Sequence, residues 1–140
     1  MEGHFLWQLD HQGDSIFARN LVERVPITDL AFVDHLGYTA LHCAVIAGNI
    51  EAAKLLVNRN PNLPNIWSNQ MWLPLHLAAA VPGNREMFLY LLKVTKADIE
   101  PKPFEDDSGV RLLSGLITNE FYGEYFFHPE NLISNQTSFR

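Results

Sequence analysis

His42, Cys43 and His76 are the residues of this chain whose types and placing could support chemistry. An imidazole beside a thiol can activate a cysteine nucleophile, and the same groups are common zinc ligands. The chain has no Cys-x-x-Cys or His-x-x-x-His spacing, however, and the two histidines occupy equivalent places in a repeated string. We therefore expect both histidines to bond turn backbone or hydroxyl groups, as buried polar groups normally do. Cys43 is then a small helix residue, and we expect no metal, no cofactor and no enzymatic activity.

Acidic residues and glycines are two further candidates for a functional site. Glu105, Asp106 and Asp107 could act as acid–base groups or bind a cation, but they lack the spacing of a calcium loop, which favours a solvated loop between structural units. The pairs at residues 13–14, 48–49 and 83–84 contain isolated glycines with no preceding strand, so they do not predict a phosphate-binding loop. We expect these pairs to end helices.

Internal repetition organises the chain. Residues 39–44 and 73–78 are imperfect copies of each other, and Leu75 follows Leu41 by 34 residues. Further copies align residues 22–26 with 57–61 and, less closely, 109–113 with 37–41. A self-match of this period is typical of stacked helical repeats. We predict one domain at residues 1–131, in units of about 3–33, 34–67, 68–104 and 105–131, and a polar tail at residues 132–140.

Each unit is predicted to be a pair of antiparallel helices. In the clearest unit Gly37 permits a tight turn, Thr39 caps the first helix, and Gly48 ends it. Small alanines on the first helix allow close packing of neighbouring units. The residues predicted to hold the repeat together are Gly37, Thr39, Leu41, His42, Gly48, Pro74, Leu75, His76 and Gly83.

The strings at residues 37–44 and 73–79 resemble the ankyrin repeat, whose signature is Thr-Pro-Leu-His-x-Ala. The resemblance implies an all-α ankyrin-repeat solenoid of about four stacked units with degenerate ends. Local strings such as residues 6–9 and 86–91 resemble one branch of that family, plant proteins that end in a membrane-embedded PGG domain. The resemblance implies a protein-binding module in membrane-linked signalling or stress response. The alternative is a structural spacer of a larger membrane protein, with no partner of its own.

The chain departs from the ankyrin signature at three positions. Leu73 replaces the expected threonine, Met71 replaces the turn glycine, and Ser114 stands where a histidine is expected in the last unit. The array is therefore expected to be irregular at the turn of residues 69–72.

Composition excludes several classes of function. The chain has 140 residues, 47% of them hydrophobic, which is ordinary for a folded domain. Its net charge of −6 and its ten scattered Lys and Arg residues argue against nucleic acid as a partner. No apolar run reaches the roughly 18 residues of a membrane span, so membrane contact is expected only through segments outside this chain. A single cysteine is compatible with a reducing compartment. We expect an intracellular location on a cytoplasmic face, with a membrane-anchored parent protein.

Aromatic and apolar residues at the predicted turns indicate where a partner protein binds. Tyr38 and Trp72 occupy equivalent positions just before the first helices, and such residues are typical of interface centres. The alternative is that Trp67 and Trp72 pack between neighbouring loops as structure. The predicted protein-binding groove consists of His35, Leu36, Tyr38, Ile46, Asn69, Gln70, Met71, Trp72, Val81, Asp107, Ser108 and Val110.

A second apolar surface is predicted at the C-terminal end. Residues 121–127 contain five aromatic side chains, and only the polar tail follows them. A terminal unit needs a polar outer face, so this segment predicts self-association through Phe121–Phe127.

Overall fold

Six α-helices and no strand make up the part of the chain that the structure, a computed structural model, describes. Residues 11–119 are described, with side-chain burial from residue 16 onward. The aromatic segment at residues 121–127 and the predicted tail lie outside this range. Short 3-10 turns occur at Asp29–Ala31 and Leu63–Asn65. The helices are α1 (His11–Arg24), α2 (Ala40–Ala47), α3 (Ile50–Arg59), α4 (Pro74–Ala80), α5 (Arg85–Val94) and α6 (Asp106–Thr118).

The helices form two layers. In one layer α2, α4 and α6 pack on each other in that order, and in the other α1 packs on α3. The pairs α2–α3 and α4–α5 connect the layers, as antiparallel helix pairs of a repeat should. Leucine, alanine and phenylalanine side chains fill the space between layers, including Leu41, Ala78 and Phe88, which are completely buried. This arrangement confirms the all-α solenoid predicted from the sequence. No helix within residues 11–119 is long and apolar enough to cross a membrane.

Local signals define the ends of α2. Thr39 Oγ1 accepts the N–H of His42 at 3.4 Å, and Thr39 N–H donates to His42 Nδ1 at 3.1 Å. The two bonds satisfy backbone donors that the first turn of a helix leaves unpaired. At the other end Gly48 adopts a left-handed conformation, with φ of 72°, and its N–H bonds to the carbonyls of the last turn. Both predicted ends are confirmed.

An asparagine ladder joins successive units. Asn84 Nδ2 donates to Val45 O at 2.9 Å, and Asn119 Nδ2 donates to Ala79 O at 2.6 Å. The two donors lie 35 residues apart and the two acceptors 34 apart, so the same bond recurs between neighbouring units. Each bond satisfies a carbonyl near the end of the preceding first helix.

Arg59, the last residue of α3, bonds to the end of α1 in the second layer. Its guanidinium donates to Val22 O at 3.2 Å, Glu23 O at 3.4 Å and Val25 O at 2.9 Å, around the C-terminal end of α1. A cation at this end of a helix satisfies free carbonyls and complements the helix dipole.

Two predicted turns are wrong. The pair Gly13–Asp14 lies inside α1 and does not end a helix. A glycine in a helix interior costs only about 1 kcal/mol, so it stops a helix only when capping and packing also favour an end there. The sequence alignment places Gly109 at the turn position of Gly37, but Gly109 lies inside α6. Its role is a close approach: a Cβ at Gly109 would lie 2.6 Å from the carbonyl oxygen of Phe104.

Candidate protein-binding surface

Two equivalent turns, at residues 34–38 and 68–72, precede α2 and α4. Asp34 Oδ1 accepts the N–H groups of Leu36 at 2.9 Å and Tyr38 at 3.0 Å. Ser68 Oγ accepts the N–H of Trp72 at 3.0 Å in the equivalent place. The bond from Tyr38 is the largest cause that holds the pKa of Asp34 below its ordinary value. These bonds give both turns the same path.

The two turns contact each other directly. Asn69 N–H donates to Leu36 O at 3.0 Å, and Asn69 Nδ2 donates to His35 O at 3.0 Å. The structure thus brings together three residues of the predicted groove from two units. Leu36 and Met71 remain exposed at 44% and 43%. The turns therefore present apolar side chains to solvent from a backbone that is fixed by hydrogen bonds.

Met71 occupies the position that is Gly37 in the preceding turn. Its φ is 63°, against 81° for Gly37, so the turn keeps its geometry although its glycine has been replaced. A left-handed conformation costs a residue with a Cβ roughly 1 to 2 kcal/mol. Met71 therefore stands at a strained position with a partly exposed side chain.

We expect Met71→Gly to raise the free energy of unfolding by about 0.5 to 1 kcal/mol, because relief of the strain exceeds the added entropy of the unfolded chain. Urea denaturation measures this change. The matched control is Leu36→Gly, at an exposed neighbour whose φ is not positive. That variant should lose stability, and a loss in Met71→Gly would contradict the strain argument.

The two histidines link successive units. His42 Nε2 donates to Trp72 O at 3.0 Å, while its Nδ1 accepts from Thr39. His76 Nδ1 accepts the N–H of Leu73 at 3.2 Å, and its Nε2 donates to the carbonyls of Pro103 and Ser108, each at 3.2 Å. These partners require neutral rings with the proton on Nε2. The expected bonds of His42 and His76 to turn backbone are present.

Burial sets the protonation of these groups. It lowers the pKa of His42 and lowers that of His76 to about 4. It also raises the pKa of the half-buried Cys43 thiol, which disfavours the reactive thiolate. Within the described residues, no three His, Cys, Asp or Glu side chains gather in a group that could hold a metal ion.

Aromatic rings pack around the histidines. The Tyr38 ring stacks on His42, with centroids 5.2 Å apart and planes 7° from parallel. The centroids of Trp67 and Trp72 lie 5.5 and 6.5 Å from that of His76. Tyr38 and Trp72 are partly buried against the core. Their inner faces therefore contribute to the stability of the stack, as the structural alternative for Trp67 and Trp72 proposed.

Arg111 of α6 is the residue that sequence reasoning missed. Its guanidinium lies over the Trp72 ring, 4.4 Å from the centroid, and it donates to the carbonyls of Gln70 and Met71. It thereby attaches the last described helix to the second turn. The wrong alignment of residues 109–113 with 37–41 concealed this role, because it assigned Arg111 to the helix-capping position of Thr39.

A groove of about 460 Å³, here called the Trp72 groove, lies between the second turn and α6. It contains three of the predicted residues, Trp72, Asp107 and Val110, and Val110 is 64% exposed. Other residues that line it are Ala80, Arg111, Ser114, Gly115, Thr118 and Asn119.

The remaining predicted residues lie around or away from this groove. Gln70 is exposed beside Met71, Ser108 lies in the first turn of α6, and Val81 is half-buried just after α4. Ile46 does not lie with them. It lines a separate groove between α1 and α2.

Comparison with known proteins agrees with this architecture. The family described as Ankyrin repeats (3 copies) matches residues 11–102. The human transient receptor potential cation channel subfamily A member 1 is 33% identical over 100 residues, which are 71% of this chain and 9% of that protein. The Notch-regulated ankyrin repeat-containing protein A of Danio rerio is 43% identical over 61 residues, or 44% of this chain and 51% of that protein. The human Notch-regulated protein matches over the same length.

The chain thus spans about half of the Notch-regulated relatives and a small part of the channel. No solved structure matches the chain significantly. The family match covers most of the described residues, including the two turns and the buried histidines. The chain belongs to the ankyrin-repeat family.

Proposed function

We propose that this chain is a non-catalytic module that binds a protein partner along the exposed tips of its two turns and in the Trp72 groove. Ankyrin repeats are protein-interaction modules. The proposal assigns the partner to one face of the array, where residues of three successive units meet.

One observation carries the proposal: apolar side chains stay exposed on a backbone that is held rigid. Leu36, Met71 and Val110 are each more than 40% exposed. The bonds of Asn69 and Arg111 join the segments that carry them. A preorganised apolar surface loses little conformational entropy on binding. The polar neighbours Asp107, Ser114 and Thr118 form a rim like that of known interfaces.

The strain at Met71 supports the same assignment. Unfavourable backbone conformations persist where they serve a site. At Met71 the strained backbone carries an exposed thioether side chain, and methionine is enriched at interfaces.

We further propose that the module acts in membrane-linked signalling, on the cytoplasmic side of a membrane. The resemblance to plant PGG-domain proteins supports this role, as does a relative named as a cation channel. A spacer without a partner is the second candidate, because the chain matches only 9% of that channel. Membrane fractionation of the protein expressed in cells tests the location. Its recovery only in the soluble fraction would contradict the membrane-linked role.

A photo-crosslinking amino acid tests the binding surface itself. Placed at position 71, it should capture one protein species in cells. Placed at Lys93, which is exposed on α5 in the other layer, it should not capture that species. Loss of the crosslink in a Val110→Glu background would assign the contact to the Trp72 groove, since a charge is disfavoured at an interface centre.

The spacer predicts a different pattern. A chain without a partner gives no discrete crosslink from position 71, or the same background from positions 71 and 93. Either pattern would contradict binding at the proposed surface. Circular dichroism of each variant confirms that the helices remain folded.

A further inference from the structure

Two charged side chains, Asp107 and Arg111, line the Trp72 groove. The chain itself engages Arg111, whose guanidinium lies over the Trp72 ring and donates to the carbonyls of Gln70 and Met71. Asp107 is exposed in the first turn of α6. Arg111 follows Asp107 by four residues, the spacing of a helical ion pair, yet no ion pair among the described residues involves Asp107. The groove therefore presents an unpaired carboxylate to solvent.

Cations are distributed unevenly over the two layers. Within residues 11–119, every Lys and Arg except Arg111 lies in α1, α3, α5 or the segment at residues 95–105. The first-layer helices α2 and α4 contain no Asp, Glu, Lys or Arg. Lys102 lies 3.5 Å from Glu105 and 3.9 Å from Glu100, so its charge is already paired. Within the described residues, the proposed binding surface therefore carries no Lys or Arg besides the bonded Arg111.

Asp34 adds a second carboxylate to this surface, in the first turn. Its side chain is exposed, and the hydrogen bond from the Tyr38 N–H is the main reason that its pKa lies below the ordinary value. The Asp34 carboxylate is therefore ionised at neutral pH. The surface thus combines exposed apolar side chains with negative charge, and a complementary partner must combine apolar side chains with positive charge.

We propose that the occupant of the Trp72 groove is a basic segment of the partner protein, whose Lys or Arg side chain binds Asp107 while an apolar neighbour packs on Val110 and Met71. This inference rests on the proposed function and adds the chemistry of the partner. The partner's cation takes the place beside Asp107 that Arg111 leaves open. The net charge of −6 attracts the same kind of segment and speeds its association with the chain.

A random peptide library displayed on phage tests the chemistry of the occupant, with the full chain as the target. We expect the selected peptides to combine Lys or Arg with an apolar residue. A fluorescent copy of a selected peptide should bind Asp107→Lys at least about tenfold more weakly than the parent, because like charges across an interface are strongly unfavourable. Added salt should weaken its binding to the parent, because salt screens exposed charges.

Glu51→Lys is the matched control. Glu51, like Asp107, is an exposed acidic residue in the first turn of its helix, but it lies on α3 in the other layer. The substitution changes the net charge and the charge near a helix N-terminus in the same way, so it should leave peptide binding unchanged. Asp107→Asn removes the charge with little change of shape and should weaken binding about threefold.

Selected peptides without Lys or Arg would overturn the basic partner. So would a basic peptide that binds Asp107→Lys as tightly as Glu51→Lys, or a library that yields no binding peptide. The crosslink from position 71 separates these results from failure of the proposed function. If that crosslink captures the same protein in the parent and in Asp107→Lys, the binding surface is retained and only the basic character of the partner is wrong.

Discussion

Gly37→Ala should lower the free energy of unfolding by about 3 kcal/mol or more, one of the two largest effects expected for this chain. Gly37 has a φ of 81°, and an added Cβ would lie 2.6 Å from the backbone nitrogen of Asn69. The strained conformation alone accounts for roughly 1 to 2 kcal/mol. The remainder comes from displacing Asn69, whose two bonds join the turns. Urea denaturation followed by circular dichroism measures the loss.

Gly48→Ala is the matched control. Gly48 has a similar φ of 72°, but no atom lies within 4 Å of the added Cβ. Its replacement should cost only the conformational penalty, about 1 kcal/mol. Equal losses in the two variants would show that the contact with Asn69 does not matter.

Acidification from pH 7 to pH 5 should lower the free energy of unfolding by about 2 kcal/mol through His76 alone. Burial lowers the pKa of His76 from 6.5 to about 4 in the folded chain. Between these values the unfolded chain binds more protons, so stability is present above pH 6.5 and is lost as the pH falls towards 4. Burial lowers the pKa of His42 too, which adds to the loss in the same direction. Urea denaturation across this pH range measures the dependence.

His76→Gln isolates the contribution of one ring. The variant should lose about 2 kcal/mol at pH 7, because Nδ1 and Nε2 satisfy backbone groups on both sides of the unit boundary. Its remaining stability should depend less on pH than that of the parent. His35→Gln, at an exposed histidine, is the control and should retain the full dependence. If His76→Gln showed the same pH dependence as the parent, the titration would belong to other groups.

Local interactions explain why the middle units were predictable. The Thr39 cap, the Gly48 end and the placing of Leu41 and Ala44 on one face all involve residues within a few positions of each other. The same interactions therefore recur in each copy of the repeated sequence. The role of His42 and His76 followed from the same repetition, because a residue that recurs at a unit boundary serves the stack.

The last described unit was less predictable because its glycine has a different role. Gly37 allows a left-handed turn, whereas Gly109 allows a close approach to Phe104 within a helical segment. Both the left-handed turn and the close approach require glycine, so the sequence does not distinguish them. The alignment that equated them also assigned Arg111 to the capping position of Thr39 and concealed its contact with Trp72.

The sequence by itself determined the repeat, the helix pairs and the structural role of the histidines, since these depend on short-range hydrogen bonds and on the period of apolar residues. Only the tertiary structure decided which apolar side chains stay exposed. Exposure of Leu36, Met71 and Val110, and the partial burial of Tyr38 and Trp72, depend on what the neighbouring unit places beside them. The same holds for the groove between α1 and α2, because its lining residues come from α1, α2 and α3. Contacts of this kind join residues about 35 positions apart, and no local pattern specifies them.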